Sequence, residues 1–141
     1  MAEFYVPISN TFFADGIAKL LNQQNKLTMV HNTHTILASK TRYFVELVSS
    51  PAIKTEIVGC VGLLPEDNLL SRIKHVSINP IYRRFGIATK LINVAIQNSS
   101  TDYVFMTIRE DNKPSLMLAK RLGFVFVQKN GHLISVARRR I

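Results

Sequence analysis

Residues 78–92, Ile-Asn-Pro-Ile-Tyr-Arg-Arg-Phe-Gly-Ile-Ala-Thr-Lys-Leu-Ile, constrain the fold more than any other stretch, because an apolar strand ends in a basic, glycine-bearing turn that opens directly into a helix. Such a junction makes an anion site. The first N–H groups of a helix have no intrahelical acceptor, and the macrodipole adds partial positive charge. Gly86 and the small Ala88 let an anion approach the backbone, and Arg83 and Arg84 bring full charges beside it. Two familiar phosphate loops are excluded. The dinucleotide fingerprint needs three glycines after the first strand and a later carboxylate, and the nucleotide-hydrolase loop needs a Lys-Ser or Lys-Thr pair after its second glycine.

Around this junction strand and helix patterns alternate. Phe4 to Ile8 reads as a short strand. Asn10 or Thr11 caps a helix to about Asn25, with Phe13, Ile17, Leu20 and Leu21 on one face. Residues 26–40 are polar and without clear period, and form either a second helix or a loop before the next strand. Tyr43 to Val48 and Ile57 to Leu64 read as a hairpin joined around Ser49-Ser50-Pro51; residues 70–78 form the strand that feeds the basic turn, and residues 87–97 its helix. Asp102 to Ile108 is apolar on both faces, which predicts a central strand covered from both sides. Pro114 opens and Gly123 closes a further helix. Phe124 to Lys129 and His132 to Ala137 then pair around Asn130-Gly131.

The spacing Arg83-x-x-Gly86-x-Ala88, preceded by Ile78-x-Pro80, resembles the Q/R-x-x-G-x-G/A signature of the GNAT acyltransferase superfamily. A second block, Asn112-Lys113-Pro114-Ser115-Leu116-Met117-Leu118-Ala119-Lys120-Arg121-Leu122-Gly123-Phe124, is similar to that family's later pattern, N-x-x-A/S-x-x-L-Y-x-K/R-x-G-F. The resemblance implies an α/β (α+β) fold: one domain over residues 1–141, with a mixed sheet of six to seven strands splayed between strands 4 and 5 and about four flanking helices. It also implies acetyl-CoA or coenzyme A as co-substrate. The backbone of Ile78 would meet the pantetheine arm, and Arg83 with the N–H groups of Arg84, Phe85, Gly86, Ile87, Ala88 and Thr89 would hold the pyrophosphate. Asn112 and Ser115 would lie on the coenzyme's other side. Lys120 would lie near the adenosine, or be an ordinary solvated helix charge.

The chemistry expected is attack of a neutral amine on the thioester, with a base taking the amine proton and an acid protonating the thiolate. The sequence departs from the family at both positions. Where members often carry an acidic tyrosine this chain has Ala119, leaving Ser115, Tyr82 or water. Where members place a strand-borne base it has Arg72 or Lys74. His75 is one residue off, on the opposite face unless a bulge intervenes, and also reads as a hydrogen-bonded interior residue with a structural role. Glu110, after the fifth strand, is the other base candidate, or simply faces solvent. His31 and His34 come without cysteine or acidic ligands at a recognised spacing, so no metal is expected; His132 is expected at the surface.

At 141 residues and 47% hydrophobic content the chain can form one core without staples. The single cysteine, Cys60, excludes an intrachain disulfide and reads as a small core residue. With no segment of spanning length and no secretory pattern at residue 1 onward, a cytoplasmic protein with no membrane partner is expected. The net charge of +9, from 18 Lys+Arg against 9 Asp+Glu, exceeds what one coenzyme explains. An anionic macromolecule such as tRNA, ribosomal RNA or DNA is one answer, and a solubilising basic tail ending in Arg138-Arg139-Arg140 is another. Three readings follow: an N-acetyltransferase acting on a primary amine, small or carried on protein or nucleic acid; a coenzyme A-binding module with reduced catalysis; and a nucleic-acid-directed enzyme or binder. A homodimer is left open.

Overall fold

A computed structural model describes residues 2–6, 11–24, 30–49, 51 and 55–141. Its elements run β1 (Ala2–Val6), α1 (Thr11–Gln24), α2 (Thr33–Ala38), β2 (Arg42–Val48), β3 (Glu56–Pro65), β4 (Leu70–Ile78), a 3-10 turn (Pro80–Tyr82), α3 (Ile87–Gln97), β5 (Tyr103–Arg109), α4 (Lys113–Arg121), β6 (Val125–Asn130) and β7 (Leu133–Arg139). The seven strands form one mixed sheet in the order β1-β2-β3-β4-β5-β7-β6. Most of the expected elements stand within a residue or two of their sequence limits. Ile8, Asn10 and Asn25, and most of the loop after β2, lie outside the described residues.

The polar stretch before β2 holds a helix that its composition conceals. Asn32 accepts the Thr35 N–H while the Thr35 hydroxyl accepts the Asn32 N–H, a reciprocal cap that starts α2 without hydrophobic periodicity.

Two apolar layers sandwich part of the sheet. On one face α3 and α4 close over Val58, Val61, Ile73, Val104, Met106 and Val136; on the other α1 and α2 close over Tyr43, Val45, Ile57 and Cys60. Gly59 permits the close approach of α3, since a Cβ there would stand 2.9 Å from Ile78 and 3.0 Å from Ile87. One expectation is corrected here. β5 is not covered on both sides: Val104, Met106 and Ile108 are buried, while Tyr103, Thr107 and Arg109 are exposed and Phe105 is half-buried. The second apolar layer is built on β2 and β3, so its cover does not reach Tyr103 and Thr107 of β5.

The sheet is also split. β4 and β5 are parallel, and their register stops at Leu70↔Tyr103, Ser71↔Val104 and Arg72↔Phe105, although β5 continues to pair with β7 as far as Arg109↔Leu133. Beyond Arg72 the two strands part.

Candidate functional site

The basic turn forms a cradle at the mouth of this split. Asn79 accepts the Ile81 N–H and holds the 3-10 turn. Arg83 reaches back, donating from Nε to the Ile78 carbonyl at 3.3 Å and from Nη2 to Gln24 Oε1 of α1 at 3.2 Å. Two left-handed residues then reverse the chain: Arg84 at φ 73° and Gly86 at φ 74°. For arginine that conformation carries strain, a common companion of binding turns. Gly86 is the N-cap of α3 and supplies no side-chain hydrogen bond; the helical ladder begins with Lys90 N–H to Gly86 O. The N–H groups of Ile87, Ala88 and Thr89 therefore lack intrahelical acceptors. A Cβ built on Gly86 would meet nothing within 4 Å, so the space above the cradle is open.

β4 lines one wall of the split, and it is irregular. Cys60 pairs with Ser77 and Gly62 with Lys74, so His75 and Val76 together face Val61, a bulge of one extra residue on β4. His75 sits at φ 56° inside it. The consequence is a change of face. His75, one residue out of phase by simple alternation, contacts Tyr43 of the α1/α2 layer, whereas Val76 packs with the α3 layer. The buried Cys60 thiol, raised to about 12 by desolvation, donates to the His75 carbonyl at 3.3 Å, so this residue tethers the bulge as well as filling the core.

A polar chain leads to His75. Ser39 Oγ donates to Thr41 Oγ1, Thr41 bonds the Tyr43 phenol, and the Tyr43 hydroxyl lies 2.8 Å from His75 Nδ1. Burial raises the Tyr43 phenol, and burial with Lys74 lowers His75 to about 4. The shared proton therefore stays on the phenol, Tyr43 O–H donates to Nδ1, and His75 carries its own proton on Nε2. His31 stands beside it with ring centroids 5.0 Å apart. The side chain of Asn22 clamps the backbone of His31 from α1, accepting its N–H at 2.8 Å and donating to its carbonyl at 2.6 Å. Burial and Lys74 lower the His31 imidazole too.

Across the split, Asn112 caps α4, its side chain accepting the Ser115 N–H at 3.3 Å. Ser115 is half-buried in the first turn, and Lys120 is exposed in the last. Ala119 is 1% exposed within the α3/α4 layer. Tyr82 packs on the same layer. Glu110 is held by Lys129 at 2.6 Å and His132 at 3.0 Å, hydrogen bonds that lower its carboxyl to about 2. His34 is exposed, and among the described residues no group of three His, Cys, Asp or Glu side chains gathers as metal ligands.

The turn residues 83–89 thus follow directly on Ile78 at the end of β4, while His75 turns to the α1/α2 face of the same strand. His31 and Tyr43 were not legible as site residues, since both arrive through tertiary packing. The one local signal near His31 was the Asn32-x-x-Thr35 cap.

A pH dependence follows from the His75 environment. The unfolded imidazole binds a proton near 6.5 and the folded one near 4, so the unfolded state binds more protons between these values and stability falls as pH drops through that window. Discounted for its partial exposure, the loss is on the order of 2 kcal/mol. Urea unfolding at pH 7 and pH 4.5 should show it, and His75→Gln should flatten the difference.

The family model described as acetyltransferase (GNAT) family matches residues 17–124. No curated protein sequence matches the chain. Among solved structures, aminoglycoside 6'-acetyltransferase type Ii superposes with TM-score 0.81 at 15% identity, covering 100% of this chain and 98% of that one. A putative acetyltransferase from Salmonella typhimurium, solved with acetyl-CoA, gives 0.75 at 14% identity, covering 100% and 94%. A chain of the NatC complex bound to Gag peptide and CoA gives 0.75 at 18% identity, covering 99% of both.

Proposed function

The chain belongs to the GNAT acetyltransferase family, and from that premise we propose that it transfers an acetyl group from acetyl-CoA to an amine by direct attack on the thioester. One observation carries the reading: an uncapped helix N-terminus, flanked by Arg83 and Arg84, opens just past Ile78, at the end of the β4 stretch that has parted from β5 beyond Arg72. A diphosphate and an extended arm need those two features together. The N–H groups from Arg84 through Phe85, Gly86, Ile87 and Ala88 to Thr89 receive the pyrophosphate, and the stretch of β4 beyond its last register pair with β5, up to Ile78, receives the pantetheine. Asn112 and Ser115 close on it from α4, with Lys120 toward the adenosine. Solved structures of the same fold that hold acetyl-CoA or CoA support this assignment.

Acetyl-CoA supplies the activated acyl group, and the chain's own residues orient it and manage protons. His75 has Nδ1 occupied by Tyr43 and keeps its Nε2 proton, so it serves as a neutral hydrogen-bond donor in the wall. His31, lowered and therefore neutral near pH 7, lies with Nδ1 3.2 Å from Thr35 Oγ1, which leaves Nε2 as the nitrogen to take the amine's proton. The ion pairs of Glu110 weigh against its acting as base. On the thiolate side Ala119 offers no proton, which leaves the Ser115 hydroxyl or water.

Calorimetric titration of acetyl-CoA and free coenzyme A tests the coenzyme site, and release of free thiol over a broad amine panel tests transfer. Micromolar binding with turnover is the expected result. Binding without turnover on any amine would favour the coenzyme-binding module instead, a reading that draws on Ala119.

A further inference from the structure

The acceptor's chemistry can be read from the wall it must meet, granted the acyl-transfer reading above. Lys74 is the first residue on its sheet face past the last β4–β5 pair, so it stands where the strands part. The bulge brings His75 to the same side, and His31 lies against His75. Arg72, two residues earlier, occupies the same face and lies 5.1 Å over the Phe105 ring. These groups feel one another's charge: Arg72 disfavours the charged form of Lys74, and Lys74 that of His31 and His75. Opposing carboxylates are scarce. Among the described residues only Glu66 offsets Lys74, and its Oε1 is engaged 2.9 Å from Arg72 Nε. Glu46 is buried on the opposite face against Lys90, and Glu110 is bound by Lys129 and His132.

A half-buried basic wall penalises a polycationic amine, because like charges repel more strongly away from bulk water. An anion relieves the mutual repulsion of Lys74 and Arg72 and gains charge-assisted hydrogen bonds. We infer that the acceptor is an amine whose carrier bears an anionic group, a carboxylate or a phosphate, close to the amine, and that Lys74 receives that group. The net charge of +9 acts in the same direction over longer range, drawing anionic molecules to the surface.

Matched acceptors test this. O-phosphoethanolamine is compared with ethanolamine for the phosphate source, γ-aminobutyrate with n-butylamine for the carboxylate source, and spermidine and kanamycin serve as polycations. Thiol release gives kcat/KM, and calorimetry gives the affinity of each amine for the protein with and without coenzyme A. The expected result is a preference of roughly 10- to 100-fold for the anionic member of at least one pair, with polycations poorest. Lys74→Met should level that preference while acetyl-CoA still binds. Equal or better use of polycations, or a preference that survives in Lys74→Met, overturns the inference. Where no amine is turned over, the binding preferences decide, and failure of both anionic amines to bind also overturns it. Loss of acetyl-CoA binding in the unaltered protein would instead remove the acyl-transfer reading.

Discussion

Gly86→Glu should weaken acetyl-CoA binding by at least about 100-fold while leaving a folded protein. A Cβ built on Gly86 meets no atom within 4 Å, so the first carbon of the new side chain clashes with nothing. Its cost to folding comes from the backbone: at φ 74° an L-residue pays roughly 1–2 kcal/mol. Its cost to binding comes from a carboxylate set against the pyrophosphate at the helix end, where both the dipole and the free N–H groups had favoured an anion. Gly86→Ala separates the two effects, because it pays the same backbone strain without the charge and should stay within about tenfold of the parent. Calorimetric titration of both variants, with thermal unfolding alongside, reads the difference. Unchanged binding in Gly86→Glu would remove the coenzyme site from this turn.

The largest loss of stability is expected from Lys90→Met. Glu46 is fully buried beneath α3, and Lys90, one turn into that helix, reaches its Oε1 at 3.3 Å while Oε2 is left without a hydrogen bond in the fold. Removing the lysine strands a carboxylate in an apolar layer; because Lys90 itself is half-exposed, the cost falls below that of a fully buried pair and is on the order of 2 kcal/mol. Replacing both partners, Lys90→Met with Glu46→Gln, removes the buried charge together with its counter-ion and should recover most of the loss. Urea denaturation of the two variants checks this. A single variant as stable as the parent would show that Glu46 draws no support from Lys90. Because α3 carries the candidate anion cradle at its start, the single variant should also weaken acetyl-CoA binding.

Much of the cradle was legible locally. The strand, basic turn and helix between Ile78 and Ile92 are adjacent in sequence, so residue types and spacing specify the uncapped N-terminus with little help from the rest of the chain. The Asn112-to-Phe124 block behaves the same way, with Asn112 at the N-cap, Pro114 in the first turn and Gly123 at positive φ past the end. The side-chain arrangement along β4 was not legible. Period-two counting placed His75 on the wrong side of the strand, and a bulge in the β3–β4 ladder, which leaves no compositional mark, reversed that assignment. β5 misled for a related reason: its apolar run predicts two covered faces, but how far a helix layer extends over a sheet depends on the helices.

The division has a physical basis. Helix caps, turns and strand periodicity are settled by interactions between residues a few positions apart, and those the sequence determined unaided: the basic turn between strand and helix, the order of elements and the family they resemble. Tertiary structure decided which side chains meet across the parted strands. His31 beside His75, Tyr43 on Nδ1 and Lys74 where the strands part are brought together from three separate segments, and their protonation follows from burial that exists only once the layers have closed.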